Sequence, residues 1–553
     1  MFESPDLSIK KHLDHYLSLL SSGQEISLTD LTANFINLRP ILHQLADSPG
    51  LDLNALSYCL PRLPDNIFSV TKILLVQSYD DIKSIGFDIT RWQRVTAPSR
   101  RRLIYQNPGG NTLACLLSSD SDIHDLVNCL ISFYLEKEKI RKLLAGRHND
   151  FIQREAYSFL RLDQNQWARL KSLLGRNWDN KIMTTVGNVV PILKMYGRVP
   201  PLYPKNCQAW ITNLSHQSLV VGLKDSPIYF VSSDSHSFVN IIGGFINQKH
   251  NYIFDYITTA DSQLYNQWFE IKKKNNTSRI NDFLYSVAGK FLKDNPEFVA
   301  QKRNHEASLG IKTVTSTDAF QSNSQIIPLT AIAQSTNLDP NLTLSHRSLF
   351  AKSDAYILNI EYPLGVAAYY LLKQILATFL SLRAVHILGK AAILAGSVGD
   401  IQIPTFVYDE LTDNRFLFDN VFNHQEIFQT FISNVYPDQK AVSVYGTFLE
   451  NLTLTQKYLA GGINIIEMES GPYLQALTET YLLGGHHIPE HHQFTLANLP
   501  IDFGVINYAS DNPLIKTLAE EADSFRGIEP VYLASLASLQ RIINLEEGRM
   551  LSL

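Results

Sequence analysis

The stretch GGINIIEMESGPY, residues 461–473, decides how this chain is read. Ile463 to Ile466 form an apolar run suited to a buried strand, and the run leads directly into two glutamates separated by Met468. Side chains two apart in a strand share a face, so Glu467 and Glu469 would lie on one side and Met468 on the other. Like charges placed together at a strand end are costly unless something uses them. The same spelling also suits a strand that enters a helix whose first turn carries acids favourable to its dipole.

Similar apolar runs recur on either side of this one. PIYFVSSDSHSFVNIIGGF reads as strand, polar turn and helix, and DAYILNIEYPLGVAAYYLLKQILATFL repeats the design. AVHILGKAAIL and FGVINYASDNP add strands, so residues from about 226 to 553 carry an α/β pattern. Residues of about 272–348 interrupt it with polar, weakly patterned sequence, expected to be a partly helical insertion. Residues 8–48 and 121–147 show helical spacing around short strand-like segments such as TKILLVQSY and RRRLIYQNPGG, which predicts an α-rich N-terminal domain over 1–200. The proline- and glycine-rich GRVPPLYPKN, residues 197–206, is the expected boundary.

The chain has 553 residues, beyond the size at which one core stops growing, so two or more structural units are expected. Apolar residues are 45% and charged residues 18%; a formal charge of −5 leaves no basic footprint for nucleic acid. Four widely spaced cysteines form no CxxC pair and read as reduced core thiols. No apolar stretch is long enough for a membrane span, and MFESPDLSIKKHLDHYLSLL lacks the plan of a secretory leader, so a soluble cytoplasmic protein without membrane contact is expected.

Ligands in open α/β sheets sit outside the carboxyl ends of the strands. The polar residues just after each apolar run are therefore the candidates: Ser232 to His236, Glu361 to Gly365, Gly389 and Lys390, Thr447 to Asn451, Glu467 to Glu469, and Ser510 with Asp511. Any one of them alone suits a helix cap or a turn.

NIIEMES resembles the Glu-Met-Glu signature of the purine nucleoside phosphorylase and uridine phosphorylase superfamily. VINYASDNP resembles the later strand that ends in Ser-Asp in its purine-acting members. HILGKAAILAGSVGDIQIPTFVYDE is similar to the central stretch, in which a strand ends at glycine, a small-residue turn follows, and Gly-Asp-x-x-x-Pro precedes another strand. The resemblance covers about residues 226–553, apart from the insertion. A helical domain ahead of this catalytic fold is similar to the organisation of the AMP nucleosidases.

The resemblance implies a phosphorylase-like three-layer α/β domain with a central mixed sheet. It implies cleavage of the N-glycosidic bond of a purine nucleoside or nucleotide, no cofactor or metal, and a homo-oligomer. Met468 and Glu469 would hold the ribose, Glu469 accepting from two hydroxyls, with Glu467 beside them. Asp511, next to Ser510, would be the general acid that protonates the purine as the bond breaks; the plain alternative is an aspartate turn before proline. Phe448 would stack on the base and Thr447 line the pocket, or Phe448 would simply be core.

Two departures bear on the attacking group. The phosphorylases carry a phosphate-binding arginine two residues before the central glycine and a hydroxyl residue after it, and here those positions are Ile387 and Lys390, on either side of Gly389. The turn VSSDSHS also lacks the glycine that brings backbone N–H groups to phosphate. Water is thereby favoured over phosphate. Asp234 matches the nucleosidase base and His236 is a second candidate, with Ser233 in the same turn. Capping of the helix near Phe238 by Ser233 or Asp234 is the plain alternative.

A non-catalytic nucleoside or nucleotide sensor on the same fold is the second function class. A third comes from HHIPEHH, where His487, Glu490 and His491 spell the H-x-x-E-H order of inverted zinc peptidases. Pro489 inside it opposes the continuous helix those ligands need.

Overall fold

The computed structural model describes residues 7–84, 86–146, 156–187, 190–196, 203–217, 222–260, 262–273, 277–315, 320–423, 433–514 and 529–553. Residues 197–202 of the expected boundary, and 274–276 and 316–319 of the expected insertion, lie outside the described residues.

The N-terminal region holds six strands beside its helices: β1 (Ile26–Ser27), β2 (Lys72–Val76), β3 (Gln93–Ala97), β4 (Arg100–Gln106), β5 (Thr112–Leu116) and β6 (Ile192–Met195). They form one mixed sheet in the order β1-β6-β2-β5-β4-β3. The β4–β5 turn closes on Asn107, whose Oδ1 accepts the N–H groups of Asn111 and Thr112 at 3.0 and 2.9 Å. Gly110 there sits at φ +75°, a left-handed conformation that glycine adopts at no steric cost. Helix Asp120–Leu143 begins at Ser119, whose side chain accepts from Asp122 N.

Eleven strands make the second sheet: β7 (Ile228–Ser233), β8 (Lys312–Val314), β9 (Ser324–Pro328), β10 (Tyr356–Glu361), β11 (Leu382–Ile393), β12 (Ile401–Asp409), β13 (Asn414–Phe418), β14 (Val435–Ser443), β15 (Ile465–Glu467), β16 (Gln493–Leu496) and β17 (Asp502–Asp511). The fold is α/β, with a central sheet that mixes parallel and antiparallel pairs. The expected insertion contributes helices Thr277–Asp294 and Pro296–Ser308, and then β8 and β9, which extend the sheet beyond β10.

β11 pairs with β17 and β15, β17 with β12, β12 with β14, and β14 with β15. These five strands therefore close into a ring. Apolar residues behind them, including Val385, Val505 and Tyr473, make one core, and helix Glu529–Ser552 packs through Leu536 and Ile543 on another.

A third core crosses between the two sheets, joining Tyr16, Phe35, Leu56 and Ile131 to Val442, Phe448 and Ile466. Phe448 is 5% exposed and lies between Phe35 and Tyr58, with ring centroids at 5.7 and 4.8 Å. Burying one such ring stabilises by about 1.5–3 kcal/mol. Ile41 N donates to Glu450 O at 2.7 Å, and Pro40 bridges Asn451. All four cysteines are free and buried. Among the described residues no helix is long and apolar enough to cross a membrane.

Candidate functional site

β11 sets the site. On one edge β17 follows it from Ala384 to Ala392, where Asp511 is registered. On the other edge β7 runs parallel and its pairing ends at Ile387↔Ser232. β15 meets the same edge antiparallel, at Ile393↔Ile465 and Ala392↔Ile466. The carboxyl ends of β7 and β15 thus approach each other head to head, and among the described strands none pairs with residues 388–391 on that edge. At 3.3 Å per residue the interval is about 13 Å. Gly389 lies within it, and a side chain there would meet no atom within 4 Å.

At the β15 end the apolar run breaks after Glu467. This buried carboxylate accepts from Glu469 N at 2.7 Å, Ser470 N at 2.6 Å and Ser443 Oγ. It caps helix Ser470–Leu477, and Glu469 is therefore no longer on the strand. Burial pushes the Glu467 carboxyl above its usual range. Half-buried Glu469 is pushed up too, by burial and by the neighbouring Glu467 charge. Its Oε1 accepts from Gly365 N at 3.0 Å. Met468 packs at this turn, with its methyl 3.5 Å from where a Gly365 side chain would begin.

Asp511 ends β17. Burial raises its pKa, while the Ser510 hydroxyl at 2.5 Å and the charges of Arg62 and Lys390 pull it down; the net shift is upward. Ser510 also donates to Ala391 O at 3.2 Å. Lys390 is exposed and Ile387 is 4% exposed.

At the β7 end, buried Ser233 donates to Asn359 Oδ1 at 2.7 Å. Asp234 Oδ1 accepts from His236 N and Ser237 N, both at 2.6 Å, and Oδ2 accepts from Ser237 Oγ at 2.6 Å. The capping alternative is what the geometry displays, and one lone-pair direction of Oδ2 is left over. His236 is exposed at the start of helix Ser237–Gly243.

The strand ends bring Ser233, Asp234, Glu467, Met468 and Glu469 to one edge of β11, beside its own Gly389 and Lys390, while Ser510 and Asp511 reach the opposite edge on β17. Thr447 and Phe448 point instead to the N-terminal region: Thr447 Oγ1 is 3.2 Å from Tyr58 Oη, and Phe448 is held in the aromatic stack.

The sequence reading did not find the N-terminal contributions. Arg101 Nη1 donates to Glu361 Oε2 at 2.7 Å and Ser121 Oγ accepts from Val366 N at 3.0 Å. Arg62 stacks 3.5 Å over the Tyr58 ring. Arg100 and Arg102 point to the other face of β4, where both pair with Asp125. Strand alternation separates them from Arg101, so three consecutive arginines in an otherwise strand-like stretch were the available signal.

Two other constellations lack the geometry for chemistry. His43 lies between Ser132 Oγ at 3.0 Å and Glu136 Oε1 at 2.8 Å, in the connectivity of a hydrolase triad, but all three are 0% exposed and no substrate reaches them. In HHIPEHH no helix forms; His487 faces Glu479 at 3.2 Å and His491 faces Asp413 at 2.5 Å. Among the described residues no group of three or more candidate metal ligands occurs.

No curated protein matches the sequence. Solved structures that overlap part of the chain include nucleosidases and phosphorylases. A 5'-methylthioadenosine/S-adenosylhomocysteine nucleosidase from S. pneumoniae is 16% identical over 41% of this chain and 90% of that one, at a TM-score of 0.27. The Arabidopsis thaliana 5'-methylthioadenosine nucleosidase is 11% identical over 43% and 88%, at 0.27. A P knowlesi homolog of P falciparum PNP is 13% identical over 40% and 78%, at 0.26. At such scores the α/β fold stands on its own strand pairing. A family match runs over residues 28–544, and the chain belongs to the Family of unknown function (DUF6909).

Proposed function

We propose that the protein cleaves the N-glycosidic bond of a purine nucleoside or nucleotide, with water as the attacking group. The observation that carries the reading is the head-to-head approach of β7 and β15 beside Gly389, with Asp511 registered on Ala392 across the same strand. Met468 and Glu469 would take the ribose. Asp511, whose pKa burial raises, would pass its proton to the base as the C–N bond breaks and its electron pair moves to the base. Water would form the new bond to the anomeric carbon and lose its proton to Asp234, whose Oδ2 retains a lone pair.

Hydrolysis is favoured over phosphorolysis by Ile387. An apolar, buried side chain stands where a guanidinium would grip phosphate, and Lys390 offers a point charge without bidentate geometry. The test is incubation with a panel of purine nucleosides and nucleotides, with and without phosphate, following free base. Base release without phosphate, giving free sugar or sugar 5-phosphate, is expected. Strict phosphate dependence with a sugar 1-phosphate product would overturn the choice of water. Saturable nucleoside binding without base release would support the sensor reading.

A further inference from the structure

One short strap, residues 361–366, crosses the site. It leaves the end of β10, where Glu361 is registered on Ser233 and Tyr362 N donates to Ser233 O at 3.2 Å. Further along, Gly365 N donates to Glu469 Oε1 at 3.0 Å. The strap therefore ties the carboxyl end of β7 to the turn that follows β15, the two strand ends that approach each other beside Gly389.

Its position is set from the N-terminal region. Arg101 grips the start of the strap through the Glu361 carboxylate at 2.7 Å and the Tyr362 carbonyl. Ser121 holds the end, its hydroxyl accepting from Val366 N at 3.0 Å across 245 residues of sequence. Ser121 is 5% exposed and lies in the first turn of helix Asp120–Leu143, most of whose residues are buried. Its hydroxyl is thus a fixed point of the N-terminal core. Gly365 passes so close to it, at φ +56°, that an added Cβ would strike the Ser121 hydroxyl.

The strap in turn acts on Glu469. Burial and the Glu467 charge push this carboxyl toward its protonated form, and the Gly365 N–H opposes that shift. Glu469 is only half-buried, so a ligand can reach it. With one oxygen held by Gly365, the remaining lone pairs of the ionised group are oriented for hydroxyl donors.

We propose that Ser121 is a positioning residue: by holding Val366 N–H it fixes the strap, so that Gly365 orients the Glu469 carboxylate for the ribose hydroxyls. This rests on the reading of Glu469 as the ribose acceptor, and it gives the N-terminal region a part in telling ribose from a sugar without those hydroxyls.

The experiment compares the full chain with its Ser121→Ala variant, using adenosine and guanosine, each beside its 2′,3′-dideoxy form. In Ser121→Ala the KM for the ribonucleoside should rise about tenfold, the factor for one hydrogen bond, while kcat and the dideoxynucleoside KM move less than about twofold. A merely structural defect would raise both KM values alike. In a Glu469→Gln background Ser121→Ala should add less than about twofold, because both changes act through one carboxylate. Without any ligand, hydrogen exchange at the Gly365 amide should quicken about tenfold in Ser121→Ala and approach the rate in Glu469→Ala. Unchanged Gly365 exchange, equal losses for ribose and dideoxyribose substrates, or full additivity with Glu469→Gln would overturn the proposal. A wild-type chain that binds neither nucleoside would strike the ribose reading, and the exchange rates would still decide whether Ser121 fixes the strap.

Discussion

Arg101 of the N-terminal sheet and Glu361 at the end of β10 are joined at 2.7 Å across 260 residues of sequence. Burial would raise the Glu361 carboxyl, but Ser235, Arg101 and Asn323 bond to it and hold it below its ordinary range. Arg101→Ala removes one of these partners from a half-exposed pair, so the expected stability loss is under about 1 kcal/mol. Glu361→Gln, which disturbs all three, should cost more. Urea unfolding of both variants checks the order.

Asp511→Asn should lower base release about 10²–10⁴-fold while ribose binding persists. The pKa of Asp511 is raised, so the proton-donating form is complete at low pH and is lost as pH rises through that value. The wild-type rate should therefore fall on its alkaline side. An unchanged alkaline limb in Asp511→Asn would assign the proton to another group.

Asp234→Asn isolates charge from capping. The amide keeps an oxygen for the His236 and Ser237 N–H groups, so stability should change little, whereas Asp234→Ala should cost about 1 kcal/mol. Turnover should drop in both. Thermal melts beside rate measurements separate the two effects.

Gly365→Ala should be strongly destabilising. Gly365 has φ +56°, and an added Cβ would come within 2.8 Å of Ser121 Cβ. The backbone that presents its N–H to Glu469 would have to move, so nucleoside affinity should fall together with the melting temperature.

Asp409 gives a pH signature in stability. It is 0% exposed, and burial, with the Glu467 charge adding, pushes its carboxyl up to about 7. The folded state then binds more protons than the unfolded state between roughly pH 4 and 7, so this group's contribution is lost as pH rises through that window. Asp409→Asn should flatten the profile and gain up to a few kcal/mol over wild type at pH 8. Denaturant midpoints at pH 5 and 8 measure it.

The α/β texture after residue 226 was legible because the strands are short, continuous apolar runs. Ile463–Ile466 led to β15 in this way. That Glu467 turns back to cap the next helix was weighed but not decidable, because its partner Ser443 lies 24 residues away. Phe448 read equally as a base-stacking ring or as core, and its neighbours Phe35 and Tyr58 come from the far end of the chain. The six-stranded N-terminal sheet was harder to read: five of its strands have only two to five residues, leaving little alternation to count. The ring of β11, β17, β12, β14 and β15 depends on pairings that no local pattern encodes.

The interval on β11 between the ends of β7 and β15 has a chemical consequence of its own. Successive residues of a strand turn their amide and carbonyl groups to alternate edges, so about half of the main-chain groups from 388 to 391 face that interval. Whatever settles beside Gly389 therefore meets peptide groups as well as side chains. Peptide groups survive every substitution except proline, so this part of the recognition surface is written in the spacing of the strands and would outlast changes to the carboxylates around it.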